Sequence, residues 1–288
     1  MTKTVLRVAL LSCAALMTGP AIANHSWGSY HWARTSNPLR LDVMRAVASK
    51  WDASVTTSIN DWNKATGVLV LTGKTASGVN PKRCTAIPGK VLVCNAAYGQ
   101  RGWLGIATIW ASGNHITQAT TKLNDSYHDL APYNTAPWRA LVACQEIGHD
   151  FGLAHQNEDF GPPNLGSCMD YTNDPDGGGA YGASNEHPNS HDYAQLQTIY
   201  SHTDTTNTSS SQTTNFGLRV PGQAPVAPPG LKSEAGDSPA EWGRAIHTDG
   251  QGRPDVFVQD QAGGVRKITH VLWVPGKAPP GLEHHHDE

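Results

Sequence analysis

The sequence QEIGHDFGLAH, residues 145–155, combines three features that bear on fold and chemistry. Gln145 and His149 are four residues apart, so on a helix their side chains extend from the same face. Gly152 can adopt a positive φ at low cost, which favours the end of a helix and a reversal of the chain. We therefore expect a helix, a sharp turn, and a return of the chain that brings His155 close to His149.

Two histidines placed in this way suit a metal site. Catalytic zinc usually takes three protein ligands and one water, and His149 and His155 supply two ligands. Gln145 stands where a third ligand is expected, but its neutral amide oxygen binds zinc more weakly than an imidazole. Glu146 is turned aside from that face, so it can reach a metal-bound water without binding the ion. The segment predicts a Zn²⁺ site with Glu146 as the general base.

A second stretch, Ser167-Cys168-Met169-Asp170-Tyr171, follows the first within a region rich in Gly, Pro, Asn and Asp. With these two stretches the chain resembles the metzincin metallopeptidases, most closely the matrixin-like branch. The family motif is H-E-x-x-H-x-x-G-x-x-H, and here Gln145 replaces the first histidine. The second stretch resembles the Met-turn of that family. The resemblance covers roughly residues 39–202.

The resemblance implies an α+β fold, a mixed twisted sheet with three helices and a cleft with zinc at its floor. It implies that Met169 forms an apolar floor under the metal. Tyr171 would donate a hydrogen bond to the oxyanion or take an extra coordination position. Residues 114–125 would form the strand that binds the substrate backbone. The implied activity is that of a zinc-dependent endopeptidase acting on a protein or peptide substrate.

Three interpretations of the glutamine remain open. Gln145 binds zinc through its side-chain oxygen, or another group supplies the third ligand, for which His187, His191 and Asp159 are candidates. In the third interpretation metal binding has been lost, and the domain is an inactive homologue that binds proteins or peptides. The presence of Glu146 and Tyr171 favours an active enzyme, because neither is needed for binding alone.

The first 23 residues have the pattern of a secretory signal. Lys3 and Arg7 precede an apolar run, and residues 21–23 have the small-x-small form of a cleavage site. We therefore predict a secreted or periplasmic protein, with a metallopeptidase domain at 24–202. Residues 203–230 have the Ser/Thr/Pro/Gly composition of a linker. Residues 231–288 alternate well enough to predict a small β-rich module, a three-stranded meander.

Removal of the signal leaves an even number of cysteines, as expected for an exported chain with two disulfides. Four cysteines allow three connectivities. We favour Cys84–Cys94, which closes a local loop, and Cys144–Cys168, which ties the motif helix to the Met169 segment. A structural Ca²⁺ ion is a further candidate, at the acidic and amide side chains of Asp170, Asn173, Asp174 and Asp176, although their spacing does not match an EF-hand loop.

Charge and hydropathy limit the partners. The formal net charge is −3, and no basic patch with interleaved aromatics is present, so nucleic acid is not expected as a partner. Apart from the short signal run, no segment has the apolar length of a membrane helix, so we expect no stable membrane insertion. We expect a monomer whose partner is its protein or peptide substrate.

Overall fold

A computed structural model describes residues 25–161, 164–210 and 230–277. The predicted signal segment therefore lies outside the described residues, and so does most of the predicted linker. Among the described residues, no helix is long and apolar enough to cross a membrane.

The fold is α+β, as predicted, and is built around one sheet of nine strands. The strands are β1 (His31–Trp32), β2 (Leu39–Ala46), β3 (Leu69–Thr75), β4 (Val91–Ala96), β5 (Trp103–Ser112), β6 (His115–Asn124), β7 (Arg244–Thr248), β8 (Pro254–Asp260) and β9 (Val265–Trp273). The helices are α1 (Ser49–Trp62), α2 (Asp125–His128), α3 (Ala136–His149), α4 (Ser190–Ile199) and α5 (Pro239–Trp242). The described part thus has five helices where three were expected, because α2 and α5 are single turns of four residues each.

The sheet has a parallel half and an antiparallel half. Its order is β3-β2-β4-β6-β5-β9-β8-β7, and β1 pairs with the first residues of β6. Neighbours from β3 to β6 run parallel, whereas β5, β9, β8 and β7 follow in antiparallel order. Mixed sheets of this kind place antiparallel strands at the edge of a parallel block.

The C-terminal segment continues this sheet. Strands β7, β8 and β9 form the expected meander, and β9 pairs with β5 over nearly its whole length. In that register His270 lies opposite Ala107. The prediction that residues 114–125 bind a substrate backbone is wrong, because β6 has β4 and β1 on one side and β5 on the other.

Helices α1 and α3 pack against each other beside the sheet. The apolar residues spaced along α1 are buried, as the helical period predicts. The Trp62 indole Nε1 donates to the Cys144 carbonyl at 3.1 Å, which fixes α1 against α3. Thr135 caps the first turn of α3 by accepting from the Trp138 amide, and Pro137 lies in that turn. These contacts hold the motif helix against α1 in a buried position.

Both favoured cysteine pairs lie at disulfide-bonding distance. The sulfur atoms of Cys84 and Cys94 are 2.05 Å apart, and those of Cys144 and Cys168 are 1.99 Å apart. The second pair joins α3 to the segment that carries Met169. It therefore connects the two stretches on which the predicted site depends.

Candidate metal centre

The end of α3 places the first two histidines. The helix ends at His149, and Gly152 follows with a φ of +98°. A Cβ atom at residue 152 would lie 2.3 Å from the Tyr30 carbonyl oxygen, so this turn requires glycine for space as well as for conformation. The chain then reverses and brings the His155 Nε2 atom to 3.2 Å from the His149 Nε2 atom.

A third histidine completes the group, and it comes from β9. His149, His155 and His270 each offer a ring nitrogen, and these nitrogens lie within 4.8 Å of one another. The ring centroid of His270 is 4.0 Å from that of His149 and 4.2 Å from that of His155. We call these three residues the first cluster. All three are buried, with His155 the most accessible at 9%.

Each ring of the first cluster has an oxygen near its other nitrogen. The His149 Nδ1 atom lies 2.8 Å from the Leu153 carbonyl oxygen. The His155 Nδ1 atom lies 3.4 Å from a Glu158 carboxyl oxygen, and the His270 Nε2 atom lies 3.8 Å from an Asp255 carboxyl oxygen. Metal-binding histidines have outer acceptors that fix the tautomer and the direction of the free nitrogen. The oxygens beside His149 and His155 lie at hydrogen-bond distance, whereas Asp255 lies farther from His270.

The protonation states also fit a metal. Burial lowers the pKa of His149 to about 3 and lowers the pKa of His155 and His270 well below the usual range for histidine. The three rings are therefore neutral, which is the form that binds metal. The His270 Nδ1 atom is buried without a hydrogen-bond partner among the described residues. In tetrahedral zinc sites, nitrogen ligands lie about 3.3 Å apart, close to the separation of the His149 and His155 Nε2 atoms.

Gln145 is buried on α3, and its amide nitrogen binds the Met-turn segment. Nε2 donates to the carbonyl oxygens of Cys168 at 2.9 Å and of Asp170 at 3.1 Å. Its Oε1 atom has no hydrogen-bond partner in the described ranges. The amide thus links α3 to the Met169 segment. Ligation of a metal by Oε1 stays a prediction.

The other candidate ligands lie in different surroundings. His187 directs Nδ1 to the Asp61 carboxylate at 2.6 Å. The ring of His191 stacks on His25 at 4.9 Å, and Asp159 is an exposed residue that accepts from the Gly161 amide. The structure brings none of the three into the first cluster.

Glu146 is fully buried against the adjacent strand. A Cβ atom at Gly105 of β5 would lie 2.6 Å from a Glu146 carboxyl oxygen, so glycine makes room for this side chain. Neither carboxyl oxygen has a hydrogen-bond partner within the described part of the chain. Burial, and then the nearby charge of Asp150, raise the pKa of Glu146 well above its ordinary value. These surroundings favour the protonated, neutral form of the carboxyl.

Met169 and Tyr171 line the same region. The Met169 sulfur and the Trp62 ring pack on Gly148, where a Cβ atom would lie 2.6 Å from the sulfur. The Tyr171 ring centroid is 4.0 Å from that of His155, and its hydroxyl donates to Asp255 at 3.1 Å. Burial, followed by the charge of Asp255, raises the pKa of Tyr171 well above its usual value. The hydroxyl thus stays protonated and is able to donate.

A surface cavity of about 500 Å³ reaches the first cluster. Its lining includes His155 and His270, the aromatic rings of Trp27 and Tyr30, and His247 of β7. Trp27 also stacks on His149 with ring centroids 5.3 Å apart. Glu158 lies in this cavity, and burial together with the charge of Asp255 raises its pKa to about 7. The cavity therefore joins an apolar wall to acid and imidazole groups next to the cluster.

The sequence interpretation missed the contribution of the C-terminal strands. His270, Asp255 and His247 all belong to residues 231–288, the segment predicted to form a small β-rich module. A signal was present in the sequence, because His270 lies in the apolar strand sequence ITHVLW. A histidine buried in an apolar strand needs a partner, and a metal is one of the partners that satisfy it.

The predicted calcium site stays untested. Among the described residues, no candidate metal-binding group includes Asp170, Asp174 or Asp176. Asp170 is buried, and both of its carboxyl oxygens lack hydrogen-bond partners there.

Comparison with protein-family models found no match for the chain, and comparison with curated proteins found none either. The resemblance to metzincins therefore depends on the sequence motif alone, in which Gln145 interrupts the pattern.

Proposed function

We propose that the protein is an exported, zinc-dependent hydrolase that cleaves peptide bonds, with His149, His155 and His270 as the metal ligands. The observation that carries this proposal is the convergence of three buried, neutral imidazoles, each with an oxygen near its other ring nitrogen. The relationship to metzincins is part of the same proposal. It is supported by the helix, the Gly152 turn and the position of Met169, and it is weakened by Gln145.

Each neighbouring residue has a role in this chemistry. A zinc ion bound here would lower the pKa of a coordinated water to about 7 and polarise a carbonyl group. Glu146 would accept the proton of the attacking water and deliver it to the leaving amine. Burial raises the pKa of the Glu146 carboxyl, and a zinc ion bound nearby would favour its ionised form. Tyr171 would need to exchange its hydrogen bond to Asp255 for one to the oxyanion.

The sheet determines how a substrate could approach. An extended peptide commonly binds by adding a strand to an exposed sheet edge. In this sheet β9 pairs with β5, so β5 has no exposed edge for a peptide. The cavity lined by Trp27, His155 and His247 leaves another route to the cluster. We propose that the scissile bond enters from this cavity and that the substrate does not pair with β5.

The direct test measures zinc content and cleavage of casein or gelatin by the purified protein. The zinc-loaded protein should cleave, a chelator should stop cleavage, and added zinc should restore it. Glu146→Gln keeps the size of the side chain but cannot accept a proton, so it should retain zinc and lose cleavage. Glu234→Gln is the matched control, because Glu234 pairs with Arg83 on the surface. Zinc-bound wild type without cleavage, or normal cleavage by Glu146→Gln, would overturn the enzymatic proposal.

Two observations favour a second candidate, an inactive homologue that binds peptides. Strand β9 covers β5, and Glu146 is completely buried. His270→Ala separates the two functions. In the enzyme, this variant should lose the zinc ion of the first cluster together with activity. In a binding module, the wild type should bind a casein-derived peptide without cleaving it, and binding should survive the substitution.

The cysteine pairs bear on where the protein is located. Two cysteine pairs at disulfide distance are compatible with an oxidising compartment, so we propose secretion or export to the periplasm. We further propose a monomer that acts on a protein or peptide, without binding nucleic acid or inserting into a membrane.

A further inference from the structure

A second histidine cluster lies away from the first, around the carboxylate of Asp204. The Asp204 Oδ1 atom is 3.3 Å from His31 Nε2, 3.2 Å from His115 Nε2 and 3.6 Å from His202 Nε2. The Nε2 atoms of His31 and His202 are themselves 3.2 Å apart. We call these four residues the second cluster. Three imidazole nitrogens therefore meet one carboxylate oxygen.

The fold brings these residues together from three segments. His31 and His115 are direct partners in the parallel register of β1 and β6. His202 and Asp204 follow α4, where the chain returns to the N-terminal segment. There the Asp204 amide donates to the Arg34 carbonyl at 2.7 Å, and the Arg34 amide donates to Asp204 Oδ2 at 2.9 Å. These backbone contacts hold the carboxylate so that Oδ1 faces the histidines.

Hydrogen bonding alone does not satisfy this arrangement for neutral histidines. The His31 Nδ1 atom lies 2.7 Å from the Ser29 carbonyl oxygen, which can only accept, so Nδ1 carries the proton. The Nε2 atom of the neutral ring then has a lone pair, and this lone pair faces the carboxylate oxygen of Asp204. Two acceptors at 3.3 Å repel unless a positive charge lies between them. A second proton on His31 removes the conflict, and so does a metal cation bound by the cluster.

The geometry also agrees with a metal. Zinc ligands at about 2.0–2.1 Å in a tetrahedron lie about 3.3 Å from one another, and four of the six separations in the second cluster run from 3.2 to 3.6 Å. The ligand atoms of His31, His115 and Asp204 all lie within 4.8 Å of one another, and the half-exposed ring of His202 would turn to complete the set. Imidazole nitrogens with one carboxylate oxygen form a donor set that suits zinc and other divalent transition metals. The partner of His31 at Nδ1 has the geometry of the outer acceptors found at metal sites.

We propose that His31, His115, His202 and Asp204 bind a second divalent transition metal ion, for which zinc is the probe. Four protein ligands leave no position for a reacting water, so the role is structural. The ion would tie β1, β6 and the segment after α4 to one another. This inference does not depend on the proposed function, because no residue of the second cluster belongs to the first.

The test counts zinc ions per chain in the purified full-length protein by elemental analysis after removal of free metal. His115→Ala and His202→Ala should each lower the zinc content by one ion per chain relative to wild type. Both side chains are partly exposed, so folding should persist, and circular dichroism checks it. Added zinc should raise the melting temperature of the metal-free wild type more than that of either variant.

Two further variants make the result specific. His187→Ala is the matched control, because His187 pairs with a single carboxylate, Asp61, and should leave the zinc content unchanged. The loss caused by His115→Ala should recur in a His270→Ala background, which separates the second cluster from the first. Folded His115→Ala and His202→Ala proteins with the zinc content of wild type would overturn the proposal. In that outcome a protonated His31 would account for the cluster.

Discussion

The ring of His270 lies 4.0 Å from the ring of His149, although one residue belongs to the last described strand and the other to the end of the motif helix. This contact depends on the pairing of β9 with β5, which places His270 opposite Ala107. It gives the C-terminal strands a part in the candidate metal centre. A domain that ended near residue 202 would contain only two of the three histidines.

The first prediction separates His270 from Gln145 as the third metal ligand. Loss of an outer hydrogen-bond partner lowers metal affinity by up to about 100-fold. His270→Ala removes a ligand, so it should weaken zinc binding by more than about 100-fold. Gln145→Ala should change affinity less than about 10-fold, because its amide nitrogen already binds the Cys168 and Asp170 carbonyls. It should instead lower the free energy of unfolding by about 1–3 kcal/mol, since two buried carbonyls lose their donor. Zinc titration with a competing chelator measures the first effect.

The reverse ranking would contradict the placement of His270 as a ligand. If Gln145→Ala lost zinc and His270→Ala retained it, the ligand would be the Gln145 side-chain oxygen. Gln145→His adds a further check. An imidazole at residue 145 should raise zinc affinity only if this position faces the ion, and it should leave affinity unchanged if the amide serves the Met169 segment alone. His187→Ala is again the control for the loss of an unrelated histidine.

The parts of the fold that follow local patterns could be predicted from the sequence. The end of α3 at His149, the turn at Gly152 and the meander of β7, β8 and β9 appear where helical spacing, a glycine and alternating residues predicted them. The pairing of β9 with β5 could not be predicted, because it joins strands distant in the chain and local periodicity does not specify which edge a strand finds. His270 was missed for this reason. The hydrogen bonds from the Gln145 side-chain amide could not be predicted either, since they depend on the backbone of a loop with no regular pattern.

The second prediction concerns the two cysteine pairs. Removal of Cys144–Cys168 by double substitution to alanine should lower the free energy of unfolding by about 3 kcal/mol, mainly because the unfolded chain gains freedom. Removal of Cys84–Cys94 should cost a similar amount, about 3 kcal/mol. Only the first change should also weaken zinc binding, because it releases the Met169 segment from α3. Urea unfolding and zinc titration of both variants test the distinction, and equal zinc affinity in the two would contradict it.

The third prediction tests the packing beneath the first cluster. Gly148→Ala would place a Cβ atom 2.6 Å from the Met169 sulfur and 2.7 Å from the Trp62 ring. Alanine gains about 1 kcal/mol of helix propensity over glycine. The forced movement of two buried side chains should outweigh this gain, for a net loss of about 1–2 kcal/mol. Gly178→Ala is the control, because a Cβ atom there meets nothing within 4 Å. Chemical denaturation should show a loss only at residue 148.

The fourth prediction follows from the buried carboxyl of Asp170. Burial, and then the charge of Asp192, raise the pKa of Asp170 from its ordinary value of 3.8 to about 8. At a pH between these two pKa values, Asp170 has lost its proton in the unfolded chain and keeps it in the folded chain. The free energy of unfolding should therefore fall as the pH rises from about 4 to 8. Above about pH 8, Asp170 should contribute little further change.

Asp170→Asn removes this titration while preserving the shape of the side chain. The variant should lose less stability than wild type between pH 5 and pH 8, by about 1–3 kcal/mol. Asp52→Asn is a matched control at an exposed carboxyl on α1. The measurement is urea unfolding of the metal-free protein at several pH values, because a bound ion would add its own pH dependence. Parallel stability curves for wild type and Asp170→Asn would show that the carboxyl is ionised in the folded protein.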